Sequence, residues 1–329
     1  EIERLSQIQK ICQSLEAAES KRLKSEHKRV QVRPYYANNK YYLITYDVFS
    51  DVRLVFAPPG SVGKFGGDTD NWMWPRHTGD FSVFRVYANK DNAPANYSKD
   101  NVPYKPKYHA TVSTEGYEKN DYAMTIGFPG STSRYIPSFA VENRMKDQND
   151  PRIEVRGIKQ DIWRAAMNAD QATRIKYASK YARSSNYWKN SIGMNKCIDS
   201  IGLIAQKQHY EDIIRHWQDS TGYLKGQLDF DKMARLYNER FEPRKAAMYF
   251  QETFLRTNEL TTRAMKVVTG TTKKDKKGDY VTFADNSNTW DASLDKDVQA
   301  VLLKNYREHV DAKYLPAFYQ IIDKKFGGD

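Results

Sequence analysis

With 329 residues, 40% of them hydrophobic and 13% aromatic, the chain can form two globular domains that each bury a core, and its composition excludes a disordered polypeptide. No run of about 18 apolar residues occurs, so no segment reads as a membrane span. A net charge of +11 would suit nucleic acid only if the basic residues gathered on one face; the densest run, TTKKDKKGD at 271–279, sits among turn formers and reads as a solvated loop, so nucleic acid is not an expected partner.

The chain opens inside a helical pattern, EIERLSQIQK, in which no signal peptide is legible. Over residues 1–28, Ile2, Leu5, Ile8, Ile11, Leu15 and Ala18 recur at three- and four-residue steps and predict an amphipathic helix. RVQVRPYY, a turn at Asn38-Asn39, and KYYLITYDVFSDVRLVFAPP then read as β-hairpin material. FSVFRVY at 81–87 alternates as a strand, with Asp80 at its mouth. A Pro/Asn-rich connection follows through Pro94, Pro103 and Pro106, and DYAMTIGF at 121–128 predicts a further strand closed by the turn PGST. From about 138 the period changes to helices: Ile158, Ile162 and Ala166 form one stripe, and Ile175, Ala178 and Ala182 a second. Cys12 and Cys197 are too few for a zinc site or a disulfide framework, and both are expected as core thiols.

The stretch GGDTDNWMWPRHTGDFSVFRVY at 66–87 is far richer in polar and aromatic side chains than a connection requires. DTDN at 68–71 starts like a calcium loop, but Trp72 and Met73 stand where an oxygen ligand and a glycine belong, so no metal site is predicted. Asp68, Asp70 and Asp80 supply carboxylates, which in a loop ordinarily serve turns and caps. Asp80 admits two readings: a strand-start aspartate capping a turn, or a carboxylate that accepts a hydrogen bond from the Nδ1–H of a catalytic histidine and so fixes its tautomer.

Taken whole, FGGDTDNWMWPRHTGDFSVFRVY resembles the bacterial dipeptidyl-peptidase VII and XI family of chymotrypsin-fold serine exopeptidases; IGFPGSTSRY at 126–135 and SSNYWKN at 184–190 are similar to later segments of that family. The resemblance implies a mixed β and α fold: an incomplete chymotrypsin-like antiparallel double β-barrel over 1–137, then a large all-helical cap over 138–329. It implies that Asp80 is the triad aspartate, and that Asn71, Trp72 and Asn186 hold the free α-amino group of an oligopeptide. Asn186 continues the Ile175–Ala178–Ala182 stripe, so a buried amide in need of partners is expected there. Capping one end of an open cleft in this way would make it count residues from the N-terminus and release dipeptides. No cofactor is implied. Location in the periplasm or at the cell surface and a homodimeric state follow from the resemblance alone.

The chain departs from the family pattern at two points. None of His27, His77, His109, His209, His216 and His309 has the setting of the triad histidine, and no G-x-S-G-like turn supplies a serine; DSTG at 219–222 lacks the preceding glycine. The expectation is a fragment that is inactive alone, with a non-catalytic peptide-binding module as the alternative.

Overall fold

The structure is a computed structural model that describes residues 2–36, 38–124, 127, 133–256, 259–272 and 289–328. Its contacts divide the chain into two units: Glu1–Phe65 with Thr78–Ile126, and Gly66–His77 with Gly127–Asp329. The loop Gly66–His77 therefore belongs with the helical part of the chain, across the boundary expected at 137.

In the first unit, α1 (Ile2–Leu23) ends sooner than the period suggested, followed by β1 (Lys28–Tyr35) and β2 (Lys40–Asp47). These pair antiparallel from Lys28 opposite Asp47 to Tyr35 opposite Lys40. Positive φ at Tyr36 and Asn38 turns the chain between them, as an Asn-rich hairpin allows. Glu16 on α1 accepts the Val32 N–H at 2.6 Å and so ties helix to ribbon. A second sheet is formed by β3 (Val52–Phe56), β4 (Val83–Ala88) and β5 (Val102–Pro103), with β4 central. No closed barrel is present among the described residues; the strands form this sheet and the two-stranded ribbon. The strand expected at 121–128 is absent over Asp121–Met124, and its remainder, the PGST turn and residues 273–279 of the basic run lie largely or wholly outside the described residues.

Asp51 anchors the second sheet. It is 2% exposed, and its carboxylate accepts Arg53 Nε at 3.0 Å and Nη2 at 2.9 Å, with Asn101 Nδ2 at 2.9 Å. Arg53 also reaches the Ser98 carbonyl and lies 3.7 Å from the centroid of the Tyr87 ring. The hydrogen bond from Arg53 holds the Asp51 carboxyl down to about 2, against its burial. A carboxyl depressed in the folded state contributes stability above its unfolded pKa of about 3.9 and loses it as pH falls toward the folded value. Thermal stability of this unit should therefore decline between about pH 4 and pH 2, and Asp51→Asn should flatten that limb in melts recorded across the range.

Among the described residues of this unit, Val30, Asp51 and Ala88 are buried. Leu54, Val55, Phe56, Phe81, Val83 and Phe84 are all exposed, so β3, β4 and the residues leading into β4 carry apolar side chains that the described residues leave uncovered.

The second unit is helical. After the single turn α2 (Gly60–Gly63) of the first unit, the described helices here are α3 (Ser138–Asn143), α4 (Asp150–Ala169), α5 (Gln171–Ser200), α6 (Leu203–Thr221), α7 (Phe230–Glu239), α8 (Phe241–Phe250), α9 (Glu259–Thr272), α10 (Ala292–His309) and α11 (Phe318–Phe326), with π-turns at Arg144–Asn149 and Gln251–Leu255. The switch to helix falls at Ser138, whose N–H and Oγ both bond Glu211. One core gathers Val155 and Trp163 of α4, Tyr177 of α5, Tyr249, Phe254, and Val298, Leu302 and Tyr306 of α10. The Ile158–Ile162–Ala166 stripe packs against it as its spacing predicted. Asp170 caps α5 by accepting the Thr173 N–H at 2.7 Å.

The second predicted stripe fails. Ile175, Ala178 and Ala182 are exposed, whereas Thr173, Tyr177, Ser184, Ser185, Ser191 and, near the C-terminal end, Ile198 are the buried residues of α5. Tyr177 packs on Trp163 in the apolar core, whereas Ser184, Ser185 and Ser191 meet arginines and a loop rather than apolar side chains. Cys197 is exposed and Cys12 half-buried, so neither is a core thiol.

Candidate functional site

Loop 66–77 is a compact structure built on glycine. Gly66 has φ +74°, and a Cβ there would fall 1.9 Å from the Asp70 carboxylate, so only glycine fits. The turn closes through Asp70 N–H to the Gly66 carbonyl, Asn71 N–H to the Asp68 carbonyl at 3.3 Å, and Met73 N–H to the Asp70 carbonyl. Trp72 adopts φ +57°, a left-handed conformation uncommon for a bulky residue, and the Trp74–Pro75 peptide is cis.

This loop seats on α5. Ser185 Oγ donates to Asp68 Oδ2 at 2.7 Å, and Lys189 Nζ donates to the carbonyls of Asp68 and Thr69. Asn186 Oδ1 accepts Asn71 Nδ2 at 3.0 Å and Trp72 Nε1 at 3.1 Å. The remaining amide oxygen, Asn71 Oδ1, accepts Arg76 Nη1 at 3.2 Å. Three of the residues singled out in the sequence, Asn71, Trp72 and Asn186, thus meet across a separation of about 115 positions.

Two details differ from expectation. Asn186 is exposed, so it is not a buried amide within an apolar stripe; its partners come from the docked loop. Asp80 belongs to the other unit, three positions before Val83 opens β4, and it is exposed rather than buried. The adjoining Phe81, Val83 and Phe84 are exposed too, so the apolar wall that would bury a triad carboxylate is not formed by the described residues. His77, the histidine nearest to Asp80 in sequence, is an exposed loop residue.

Behind Asn186, α5 is held by a buried ionic layer. Glu252, on the second π-turn, is 0% exposed and accepts Arg156 Nε at 2.7 Å and Arg152 Nε at 3.2 Å, with Arg256 Nη1 at 3.6 Å. Arg156 passes the connection forward to the Ser184 carbonyl at 3.3 Å, and Arg152 to Ser191 Oγ at 3.0 Å. Burial lowers the pKa of Arg152, and burial together with the Arg156 charge lowers that of Lys159 well below the usual amine range. Lys159 places its Nζ 4.5 Å from the centroid of the Trp163 ring.

Chemically, Asn186 Oδ1 is satisfied by the loop, and Asn71 Oδ1 is an acceptor that already holds a cationic donor, Arg76 Nη1. Such an acceptor matches a group that carries only donors, an ammonium above all. Sequence reasoning did not single out Ser185, Lys189 or Gly193. Lys189 and Gly193 follow Asn186 by three and seven positions, which is the helical signature of one shared face.

A description of the Peptidase S46 family matches residues 1–329. The chain is 51% identical to dipeptidyl-peptidase 7 of Porphyromonas gingivalis over 332 residues, covering 100% of this chain and 46% of that protein. It is 36% identical to the Asp/Glu-specific dipeptidyl-peptidase of the same organism, covering 91% of this chain and 43% of the relative. Among solved structures, DPP11 of Porphyromonas endodontalis superposes with a TM-score of 0.71 at 32% identity, covering 95% of this chain and 47% of that one. The same protein in complex with the dipeptide Arg-Glu gives a TM-score of 0.70 at 33% identity, over 94% of this chain and 46% of the other. The chain spans about half the length of the curated relatives it matches.

Proposed function

The chain belongs to the peptidase S46 family, and on that premise we propose that it is part of a serine dipeptidyl-peptidase that removes dipeptides from the free N-terminus of oligopeptides. The observation that carries the reading is the meeting of Asn71, Trp72 and Asn186 through the Asn186 amide oxygen. The dipeptide Arg-Glu complex of DPP11 supports peptide recognition in a structural relative.

In this reading the substrate ammonium enters the acceptor cluster and replaces Arg76 at Asn71 Oδ1, where a cation already sits. Two extended residues span about 7 Å, so fixing the ammonium sets which carbonyl reaches the nucleophile. Asp80 accepts the Nδ1–H of a histidine; the histidine takes the proton of a serine as its oxygen attacks the second carbonyl and passes it to the leaving amine as the peptide bond breaks, and water then hydrolyses the acyl-enzyme to release the dipeptide. The strands belong to an incomplete chymotrypsin-like double barrel, and the histidine and serine lie in further sequence of the peptidase, since neither motif occurs in these 329 residues. The chain alone is then inactive. Export to the periplasm or cell surface and homodimerisation complete the reading; cell fractionation and light scattering of the purified peptidase test them. A non-catalytic peptide-binding module is the alternative that the absence of those two motifs favours, and hydrolysis by the complete polypeptide would remove it.

The amine site has a direct test. Peptides with a free N-terminus should be cleaved, and their N-acetylated counterparts should not. Asn71→Ala and Asn186→Ala should each raise KM for the free-amine peptide by about tenfold, the usual scale for a hydrogen bond to a charged group. KM should also rise above about pH 8, as the substrate amine loses its proton. Equal cleavage of acetylated and free peptides by the wild type would overturn the assignment of all three residues.

A further inference from the structure

We infer that Lys189 and Gly193 are positioning residues that set the register of the amine site, an inference that rests on the reading of Asn71, Trp72 and Asn186 given above. Ser185, Asn186, Lys189 and Gly193 share one face of α5, and each meets loop 66–77. Their parts differ. Asn186 meets the side chains of Asn71 and Trp72, whereas Lys189 and Gly193 meet the backbone of the loop.

Lys189 Nζ holds the carbonyl of Asp68 and, at 2.7 Å, that of Thr69. The Asp68 carbonyl is also the acceptor for the Asn71 N–H, so the lysine grips the atom from which the Asn71 backbone hangs. Gly193 acts through its lack of a side chain. A Cβ at that position would lie 2.8 Å from the Trp72 carbonyl oxygen and 3.5 Å from Trp72 Cβ, closer than real Cβ atoms approach backbone oxygen. The loop settles onto the helix only because residue 193 is glycine. Lifting Trp72 by the few tenths of an ångström that a methyl demands would carry its Nε1, and the neighbouring Asn71 amide, away from Asn186 Oδ1.

The two residues therefore fix where the acceptors stand without touching the substrate. Misplaced acceptors weaken ammonium binding equally in ground and transition states, which raises KM and spares kcat. The test is steady-state kinetics of the complete peptidase on a fluorogenic dipeptide anilide with a free amine and on its N-acetyl counterpart. Lys189→Met and Gly193→Ala should each raise KM for the free-amine substrate about tenfold, hold kcat within about twofold, and lower the preference for the free amine over the acetylated form. Lys189→Arg, whose fork spans two carbonyls, should keep most of that preference. A change that merely loosened the fold would lower kcat and the melting temperature together and would leave the preference intact. If the wild type discriminates while Lys189→Met and Lys189→Arg behave alike and match it, the positioning role is wrong and the amine site stands. If the wild type does not discriminate, the amine site is wrong and the positioning role falls with it. Should Gly193→Ala fail to fold, the two lysine variants decide alone.

Discussion

Asp80→Asn in the complete peptidase should lower kcat by about 10⁴ while leaving KM for a free-amine dipeptide nearly unchanged. The size follows from what the carboxylate does in a triad. It holds the imidazole in the tautomer that can take the serine proton, and it stabilises the imidazolium formed during attack. Asparagine keeps the shape but offers an amide N–H where an acceptor is needed, so the histidine turns to the wrong tautomer. The exposure of Asp80 gives the experiment its edge. An exposed aspartate before a strand that only capped a turn would cost at most about tenfold in any activity, through stability alone. A loss below tenfold, with the variant melting like the wild type, would remove Asp80 from the triad. Pre-steady-state measurement separates the remaining cases, because a triad defect slows acylation itself.

How much of this was legible in the sequence varies with the period of the element. The strand β4 showed through the alternation of FSVFRVY, although pairing begins only at Val83, opposite Phe56, with an irregular register between Leu54 and Phe56. Helix α4 showed through Ile158, Ile162 and Ala166, which do face the core. Helix α5 misled. Its apolar residues Ile175, Ala178 and Ala182 face outward, and apart from Ile198 its buried residues are serine, threonine and tyrosine. Hydrophobic period reports burial only where the partner surface is apolar. Around its serines the partners are arginine side chains on one side and the polar backbone of a loop on the other, whereas Tyr177 meets the apolar core.

The site was legible in part for the same reason. The composition of residues 66–77 marks a loop with more polar and aromatic atoms than a turn uses, and the resemblance picked out Asn71, Trp72 and Asn186 within it and on α5. The backbone seat was not legible. Gly193 looks like any glycine within a helix, where it costs up to about 1 kcal/mol against alanine, until the Trp72 carbonyl is found against it. The π-turn that carries Glu252 was equally hidden, since its wider hydrogen bonding comes from tertiary demand rather than from a sequence rule.

That π-turn supports the largest stability effect expected in the helical unit. Glu252 is 0% exposed and is the carboxylate shared by Arg152, Arg156 and Arg256, of which Arg156 is itself 4% exposed. Removing one member of a buried ion pair costs about 3–5 kcal/mol, because the charges left behind have lost their solvent as well as their partner. Glu252→Ala should therefore destabilise the helical unit by that amount, lowering its melting temperature by on the order of 10 °C. Glu252→Gln keeps the shape and one acceptor, and should recover only a minor part of the loss. Replacing Arg156 and Glu252 together by methionine should be markedly less harmful than Glu252→Ala, since apolar side chains of similar volume carry no desolvated charge. The effect should extend to the amine site, because Arg156 also donates to the Ser184 carbonyl one turn before Trp188 and two residues before Asn186. At temperatures where Glu252→Ala remains folded, its KM for free-amine peptides should exceed that of the wild type, and the methionine pair, which also lacks the Ser184 contact, should share the higher KM despite its recovered stability. A single variant that melts within about 1 kcal/mol of the wild type would mean that water reaches the arginines, and the buried layer would then have no part in holding α5 beneath the loop.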